Sequence, residues 1–142
     1  MYEKYSRQAL PEKDYRELLG TAICVFNSNN AFVIENIIRE DMNKRHNWYE
    51  LIDLESGRLK NPIKETISKK SNSEVIANLF DEIVSMRNRI IHSFQITDKD
   101  GEQRLATKDR KGIQFIITKE YLFDFIKKNE SLSTELHKFR GY

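Results

Sequence analysis

Apolar residues recur at three- and four-residue intervals through much of this chain, which is the spacing of amphipathic helices. The longest such pattern runs from Ser71 to Phe94. We expect Ser71 and Glu74 to form a capping box at its start, with Ser73 as an alternative N-cap. This stretch is predicted to be the central helix, and its apolar face comprises Val75, Ile76, Leu79, Phe80, Ile83, Val84, Ile90 and Ile91.

Shorter helical patterns lie on both sides of the central one. Pro11 suits the first turn of a helix that continues to about Phe26, and the polar run Asn-Ser-Asn-Asn at 27–30 predicts a break. Thr118 is a suitable N-cap for a helix that starts at Lys119. The remaining helices are predicted over residues 31–41, 48–54, 62–67, 119–128 and 131–139.

After Phe94 the periodicity changes to one typical of strands. Residues 95–97 are predicted to be extended, and 98–101 have the composition of a turn. Residues 103–107 and 113–118 are the two further strands. The sequence therefore predicts a mostly α fold, a bundle of four to five helices with a small β-hairpin or three-stranded appendage near residues 95–118. The whole chain, 1–142, is expected to be one domain.

Composition narrows the function classes only slightly. The net charge of +2 is too small to indicate a nucleic-acid partner by itself,. The single cysteine, Cys24, excludes an intramolecular disulfide and a cysteine-based zinc site, and its apolar neighbours predict that it is buried. No apolar run reaches membrane-spanning length, and the first ten residues lack a signal-peptide core. We therefore expect a cytoplasmic protein with no membrane contact.

The candidate chemistry is concentrated at the end of the central helix, where Arg87, Asn88 and His92 fall within six residues. Asn88 and His92 lie one above the other on a helix face, and the long side chain of Arg87 is expected to reach that face. Arginine offers permanently charged donors that suit phosphate. Histidine can exchange a proton near neutral pH. An Arg–His pair without a metal is suited to RNA cleavage through the ribose 2′-hydroxyl.

Arg87-Asn88-Arg89-Ile90-Ile91-His92, at the end of a long amphipathic helix, resembles the signature of the HEPN superfamily, an Arg, a polar residue and a His after four to six intervening positions. The resemblance implies a helical bundle and a metal-independent endoribonuclease of the kind found in toxin–antitoxin, phage-defence and RNA-processing systems. It also implies a homodimer in which two copies of the motif form one cleft. Arg87 and His92 would be catalytic, with Asn88 as their polar companion and no metal or cofactor.

Two features limit the resemblance. Arg39 and His46 also satisfy the loose motif, but acidic Glu40 follows Arg39, and the helix there is predicted to be short. Some HEPN toxins carry a Tyr two positions after the His, and the antitoxin modifies it. Phe94 occupies that position here and has no hydroxyl. An antitoxin or other regulatory protein remains a possible partner that the sequence does not identify.

Basic residues near the motif are candidates for binding the RNA backbone. Lys108, Arg110 and Lys111 lie in the predicted hairpin loop, which can reach over a ligand, and Arg89 lies within the motif itself. Two alternatives stay open. A HEPN-like domain that has lost cleavage would bind RNA, nucleotides or a partner protein, and a structural domain would hold Arg87 and His92 in ordinary ion pairs.

Overall fold

The computed structural model describes residues 2–142 and is mostly helical, with a small three-stranded antiparallel sheet. This matches the predicted fold class. None of the helices in the described residues has the length and apolar content needed to cross a bilayer. The elements are a 3-10 turn Tyr2–Tyr5, α1 Lys13–Glu40, α2 Trp48–Asp53, a 3-10 turn Ser56–Leu59, α3 Lys60–Ile63, a π-helical turn Lys64–Ser68, α4 Lys69–Ser71, α5 Val75–Ile91, β1 Phe94–Thr97, β2 Gln103–Lys108, β3 Gln114–Ile117 and α6 Lys119–Arg140.

Helices α1 and α6 pack against each other, and both are continuous where the sequence predicted breaks. The predicted interruption at residues 27–30 is wrong. The Asn29 side chain is buried, and its Nδ2 group donates to the Asn129 backbone carbonyl oxygen at 2.8 Å and to Asn129 Oδ1 at 3.0 Å. Asn129 in turn donates to the Phe125 carbonyl oxygen at 2.9 Å. The pair satisfies polar groups inside the interface, so tertiary packing overrides low helix propensity. Cys24, on the outer side of α1, is exposed and not buried as predicted.

The central helix α5 begins at Val75, four residues later than the predicted start. The capping box at Ser71 is wrong because Ser71 Oγ donates to the Ile67 carbonyl oxygen at 2.8 Å, within the preceding helical segment. Asn72 then adopts a left-handed conformation that ends that segment. The alternative cap fits better, since Ser73 Oγ accepts from the Val75 N–H at 3.2 Å.

The predicted apolar face of α5 is buried at its centre, at Ile76, Phe80, Ile83, Val84 and Ile90. Its two ends differ from the prediction, because Val75 is 52% exposed and Ile91 is 49% exposed. The short helical pieces predicted before α5 are confirmed. They contribute buried side chains to the same core, at Leu51, Leu59, Ile63 and Ile67.

The sheet has the order β1-β2-β3, and both pairings are antiparallel. Its two connections are turns of the same type. In each, an aspartate side chain, Asp98 or Asp109, accepts from the backbone N–H groups two and four residues later. The glycine three residues after each aspartate has a positive φ, 82° at Gly101 and 80° at Gly112, which side chains with a Cβ rarely adopt,. The predicted turns are therefore rigid, and they fix the direction of their exposed residues.

Tyr15 joins α1 to the sheet. Its side chain is fully buried, and its hydroxyl donates to the Ile117 carbonyl oxygen at 2.6 Å and accepts from the Leu105 N–H at 3.1 Å. The Arg104 guanidinium lies 4.9 Å from the ring centroid. Because the hydroxyl sits between paired residues of β2 and β3, it completes the backbone hydrogen bonding of the sheet where the sheet meets the helices,.

We expect Tyr15→Phe to lower the free energy of unfolding at neutral pH by about 1–3 kcal/mol, the cost of leaving buried backbone groups unpaired. Burial raises the pKa of Tyr15 above its ordinary value of 10.0. The contribution of the neutral hydroxyl is therefore complete below pH 10.0 and is lost as the pH rises through the folded-state pKa,. Urea unfolding of the wild-type and Tyr15→Phe proteins from neutral to alkaline pH measures the difference in their free energies of unfolding. A difference that grows as the pH rises above 10.0 would contradict this expectation.

Candidate functional site

Arg87 projects from the core-facing side of α5, in line with Ile83 one turn earlier and Phe80 two turns earlier,. Its guanidinium carbon lies 5.0 Å from the centroid of the Phe26 ring of α1. That ring is itself stacked on Phe80 and Phe125, with centroids 6.4 and 6.2 Å away. The cation therefore contacts the middle ring of a three-ring aromatic cluster at the interface of three helices,.

The charge of Arg87 has no direct counterion among residues 2–142. No hydrogen bond or ion pair of the described residues uses its guanidinium, and its Nε atom is buried without a partner. Burial lowers the pKa of Arg87 from its ordinary value, and the charge of Glu55 opposes that shift. The side chain stays protonated, because arginine does so in proteins generally. A half-buried cation without a partner is electrostatically suited to binding an anion.

His92 is the residue at which α5 ends. Its backbone N–H donates to the Asn88 carbonyl oxygen at 3.0 Å, and its side chain is exposed. The imidazole is therefore accessible to a substrate.

The three motif side chains diverge within one chain. On an α-helix Arg87 and His92 are about 140° apart around the axis, whereas Asn88 and His92 are about 40° apart. Arg87 packs on α1, Asn88 lines a groove on another side of α5, and His92 is exposed at the helix end. The long Arg87 side chain was expected to reach the face of Asn88 and His92. In this chain it does not, because the guanidinium packs on the Phe26 ring at another side of the helix.

The groove beside Asn88 has a volume of about 880 Å³. One wall is α5, and the other is the turn between β2 and β3, which carries Arg110 and Lys111. An apolar floor is formed by Val84, Ile113 and Phe115. Of the predicted RNA-binding residues, Arg89, Arg110 and Lys111 line this groove together with Asn88. Lys108 is exposed but does not line it.

Two contacts fix the end of α5 to the rest of the fold. The Arg89 guanidinium donates to the Lys108 carbonyl oxygen in β2. The Tyr121 hydroxyl of α6 donates to the Met86 carbonyl oxygen at 3.4 Å, and burial raises the pKa of this tyrosine. The motif thus lies on a rigid element, as a preorganised site requires.

The other Arg–His pair has a different setting. Arg39 is exposed in the last turn of α1, and His46 lies in the following loop. The prediction that the helix of Arg39 is short is wrong, since α1 has 28 residues. The His46 backbone N–H donates to Asp41 Oδ2 at 2.8 Å, and His46 Nε2 lies 3.7 Å from Glu65 Oε2. The Glu65 carboxylate would compete with a phosphate for this imidazole, so the Arg87 motif is the better candidate.

The sequence did not predict the partners that position the motif. Phe26 was expected only as the end of a helix, and Tyr121 only as part of the helix predicted over residues 119–128. No local signal pairs Phe26 with Arg87, because the two are 61 positions apart in the chain and meet only through the α1–α5 packing. The apolar groove floor from β3 was also missed, since strand alternation alone does not show which element opposes it.

Comparisons of the chain with protein-family models, with curated proteins and with solved structures find no match. Among residues 2–142 there is also no group of three or more His, Cys, Asp or Glu side chains arranged to hold a metal ion. The geometry of α5 and of the groove beside it is therefore what bears on function.

We expect Arg87→Met to change the free energy of unfolding by less than about 1 kcal/mol. The cation–π contact contributes about 0.5–2 kcal/mol, while the buried Nε without a partner costs about 1–3 kcal/mol, and methionine retains an apolar stem and a sulfur–aromatic contact. Phe26→Ala is the control for sensitivity, because deleting a buried ring costs about 3–5 kcal/mol. Denaturant unfolding measures the free energy of unfolding of both variants. A loss in Arg87→Met as large as the loss in Phe26→Ala would assign Arg87 a structural role.

Proposed function

We propose that this protein is a metal-independent endoribonuclease of the HEPN kind, with Arg87 and His92 as its catalytic residues. The observation that carries the proposal is that the end of one helix holds both a guanidinium with no ion pair among residues 2–142 and an exposed imidazole. An ordinary structural arginine would be expected in an ion pair with a carboxylate, and an ordinary core histidine would be buried and hydrogen-bonded.

The proposed reaction uses the substrate's own 2′-hydroxyl. The neutral imidazole of His92 removes the hydroxyl proton, and the oxygen attacks the adjacent phosphorus. The bond from phosphorus to the 5′-oxygen breaks, which leaves a 2′,3′-cyclic phosphate on one product and a 5′-hydroxyl on the other. The Arg87 guanidinium stabilises the charge that builds on the phosphorane oxygens. DNA lacks the nucleophile and would not be cleaved.

The site is proposed to be completed by a second copy of the chain. Because Phe26 holds Arg87 on one side of α5 and His92 lies on another, one chain does not present both groups to one phosphodiester. Apolar side chains are exposed next to His92, since Ile91 is 49% exposed and Phe94 is 44% exposed. A homodimer that covered this end of α5 would bury them and bring the two motif copies together.

The leaving oxygen needs a proton, and a homodimer supplies a second imidazole to donate it. With one His92 neutral and the other protonated, one copy acts as base and the other as acid. Asn88 is proposed to orient the substrate beside His92, which follows it by one helical turn. Toxin–antitoxin function or phage defence in the cytoplasm would be consistent with this activity. Phe94 argues against silencing by modification of a tyrosine at that position.

A second candidate is a HEPN-like domain that binds RNA, nucleotides or a protein without cleaving. The groove of Asn88, Arg89, Arg110 and Lys111 favours it, because binding there would not require Arg87. The two candidates differ in one result, whether the chain breaks a phosphodiester bond.

We expect His92→Ala to reduce the rate of RNA cleavage in EDTA by about 10²–10⁴-fold, the usual contribution of a general acid–base group. Arg87→Ala should reduce it by about 10²–10³-fold, as for the loss of one electrostatic stabiliser of a transition state. Gel analysis of a labelled RNA, with a 2′-deoxy substitution at the mapped cleavage position as the substrate control, measures both effects.

Arg39→Ala and His46→Ala are the matched controls, because they remove the other Arg–His pair from the same chain. Both should cleave at the wild-type rate when assayed well below their melting temperatures. Equal losses in all four variants, or full activity in Arg87→Ala and His92→Ala, would refute the catalytic assignment.

A further inference from the structure

Two of the cations that line the groove beside Asn88 have no ion-pair partner among residues 2–142. Its acidic residues already have partners: Glu82 Oε1 lies 2.8 Å from Lys128 Nζ, Asp81 Oδ2 lies 3.9 Å from Lys60 Nζ, and Asp109 accepts two backbone N–H groups in its turn. Arg110 and Lys111 are exposed and make no ion pair with another residue of 2–142. The groove lining thus contains three carboxylates as well as three cations, but the two cations of the turn are left without an ion pair and are available to an anion,.

The position of these cations is fixed by the backbone. The Lys111 and Ile113 N–H groups donate to Asp109 Oδ1 at 2.8 and 2.9 Å, and Gly112 supplies the positive φ that closes the turn. Arg89 ties the neighbouring strand to α5 through the Lys108 carbonyl oxygen. The backbone that carries the two cations of the turn is thus held opposite α5, which reduces the backbone entropy lost when a ligand is bound.

The groove combines these cations with its apolar floor. Val84, Phe115 and Ile113 line it, and Ile113 is 60% exposed. Cations along one edge with apolar surface below match a chain of phosphates whose bases are unstacked, which is a single-stranded nucleic acid and not a duplex. The volume of about 880 Å³ is sufficient for a small ligand or a short segment of such a chain,.

The direction of the groove connects it to the proposed catalytic residue. Asn88 lies in its α5 wall, and His92 is one turn further along the same side of the helix,. We infer that this groove is a substrate subsite, which binds the single-stranded RNA that flanks the cleaved bond, with Arg110 and Lys111 on its phosphates. The inference deepens the proposed function and rests on it for the identity of the ligand.

The test compares the double variant Arg110→Ala/Lys111→Ala with Lys69→Ala/Lys70→Ala. The second removes the same charge from exposed positions that line a different cavity. The probe is a fluorescein-labelled single-stranded 2′-O-methyl RNA of about ten nucleotides, within the usual range of single-strand site sizes. It cannot be cleaved by 2′-hydroxyl attack, so the wild-type protein can be used, and a duplex of the same RNA is measured in parallel. Dissociation constants are determined by anisotropy across a salt series.

For single strands each phosphate contact contributes about 0.7 to the slope of log affinity against log salt, so losing two should reduce the slope by about 1.4. We expect the groove variant to show this change and about tenfold weaker binding at low salt, while the control keeps the wild-type slope. On cleavable RNA the groove variant should raise KM and leave kcat within about threefold, since uniform binding is lost.

Equal slopes in both double variants, absence of binding by the wild-type protein, or tighter binding of the duplex would overturn the inference. Its failure is distinguishable from failure of the proposed function. Binding with the expected slope change but without cleavage of unmodified RNA would support the groove as an RNA-binding site and refute the nuclease activity. Cleavage of RNA with an unchanged slope in the groove variant would support the nuclease activity and refute the groove as a subsite.

Discussion

The geometry of α5 is the constraint on which this account depends. A helix sends residues five positions apart in directions that differ by about 140°, and packing decides which of them faces the core. Here the stripe that buries Phe80 and Ile83 continues to Arg87, so the guanidinium is carried inward onto Phe26. His92, at the helix end, is left at the surface. A single chain therefore separates the two groups that the proposed chemistry needs together.

The environment of Arg87 leaves its charge available to bind an anion. The aromatic stack compensates part of the desolvation of the guanidinium, but one donor stays buried without an acceptor. Such a group is costly to the folded protein unless an anion completes it. Natural proteins retain arrangements of this kind at functional sites more often than elsewhere, which is why the absence of a carboxylate partner supports a functional role.

The sequence predicted the elements that follow from local periodicity. The central helix, the three strands and both aspartate–glycine turns were expected, because side-chain spacing and turn chemistry are local properties. The breaks at 27–30 and near 129–130 were wrong, because Asn29 and Asn129 satisfy each other across the α1–α6 interface. Domain extent and oligomeric state stay predictions, and the second is not a property of a single chain.

For the candidate site, the sequence identified residue types but not their directions. The motif gave Arg87, Asn88 and His92, and the hairpin loop gave Arg110 and Lys111. It could not show that Asn88 and the loop would line one groove while Arg87 packed elsewhere, because that depends on how α1 and β2 meet opposite sides of α5. We propose that a dimer brings together the Arg87 guanidinium and the His92 imidazole, which one helix directs to different sides.

Complementation between two inactive proteins tests this claim most directly. Arg87→Ala and His92→Ala chains, unfolded together and refolded, form mixed dimers in half of the population if assembly is random. If the guanidinium of one copy acts with the imidazole of the other, each mixed dimer regains one intact pair but lacks the second imidazole that protonates the leaving oxygen. The mixture should therefore cleave measurably faster than either parent, while its rate stays well below half of the wild-type rate. A mixture as inactive as its two parents, with mixed dimers shown to be present, would contradict the shared site.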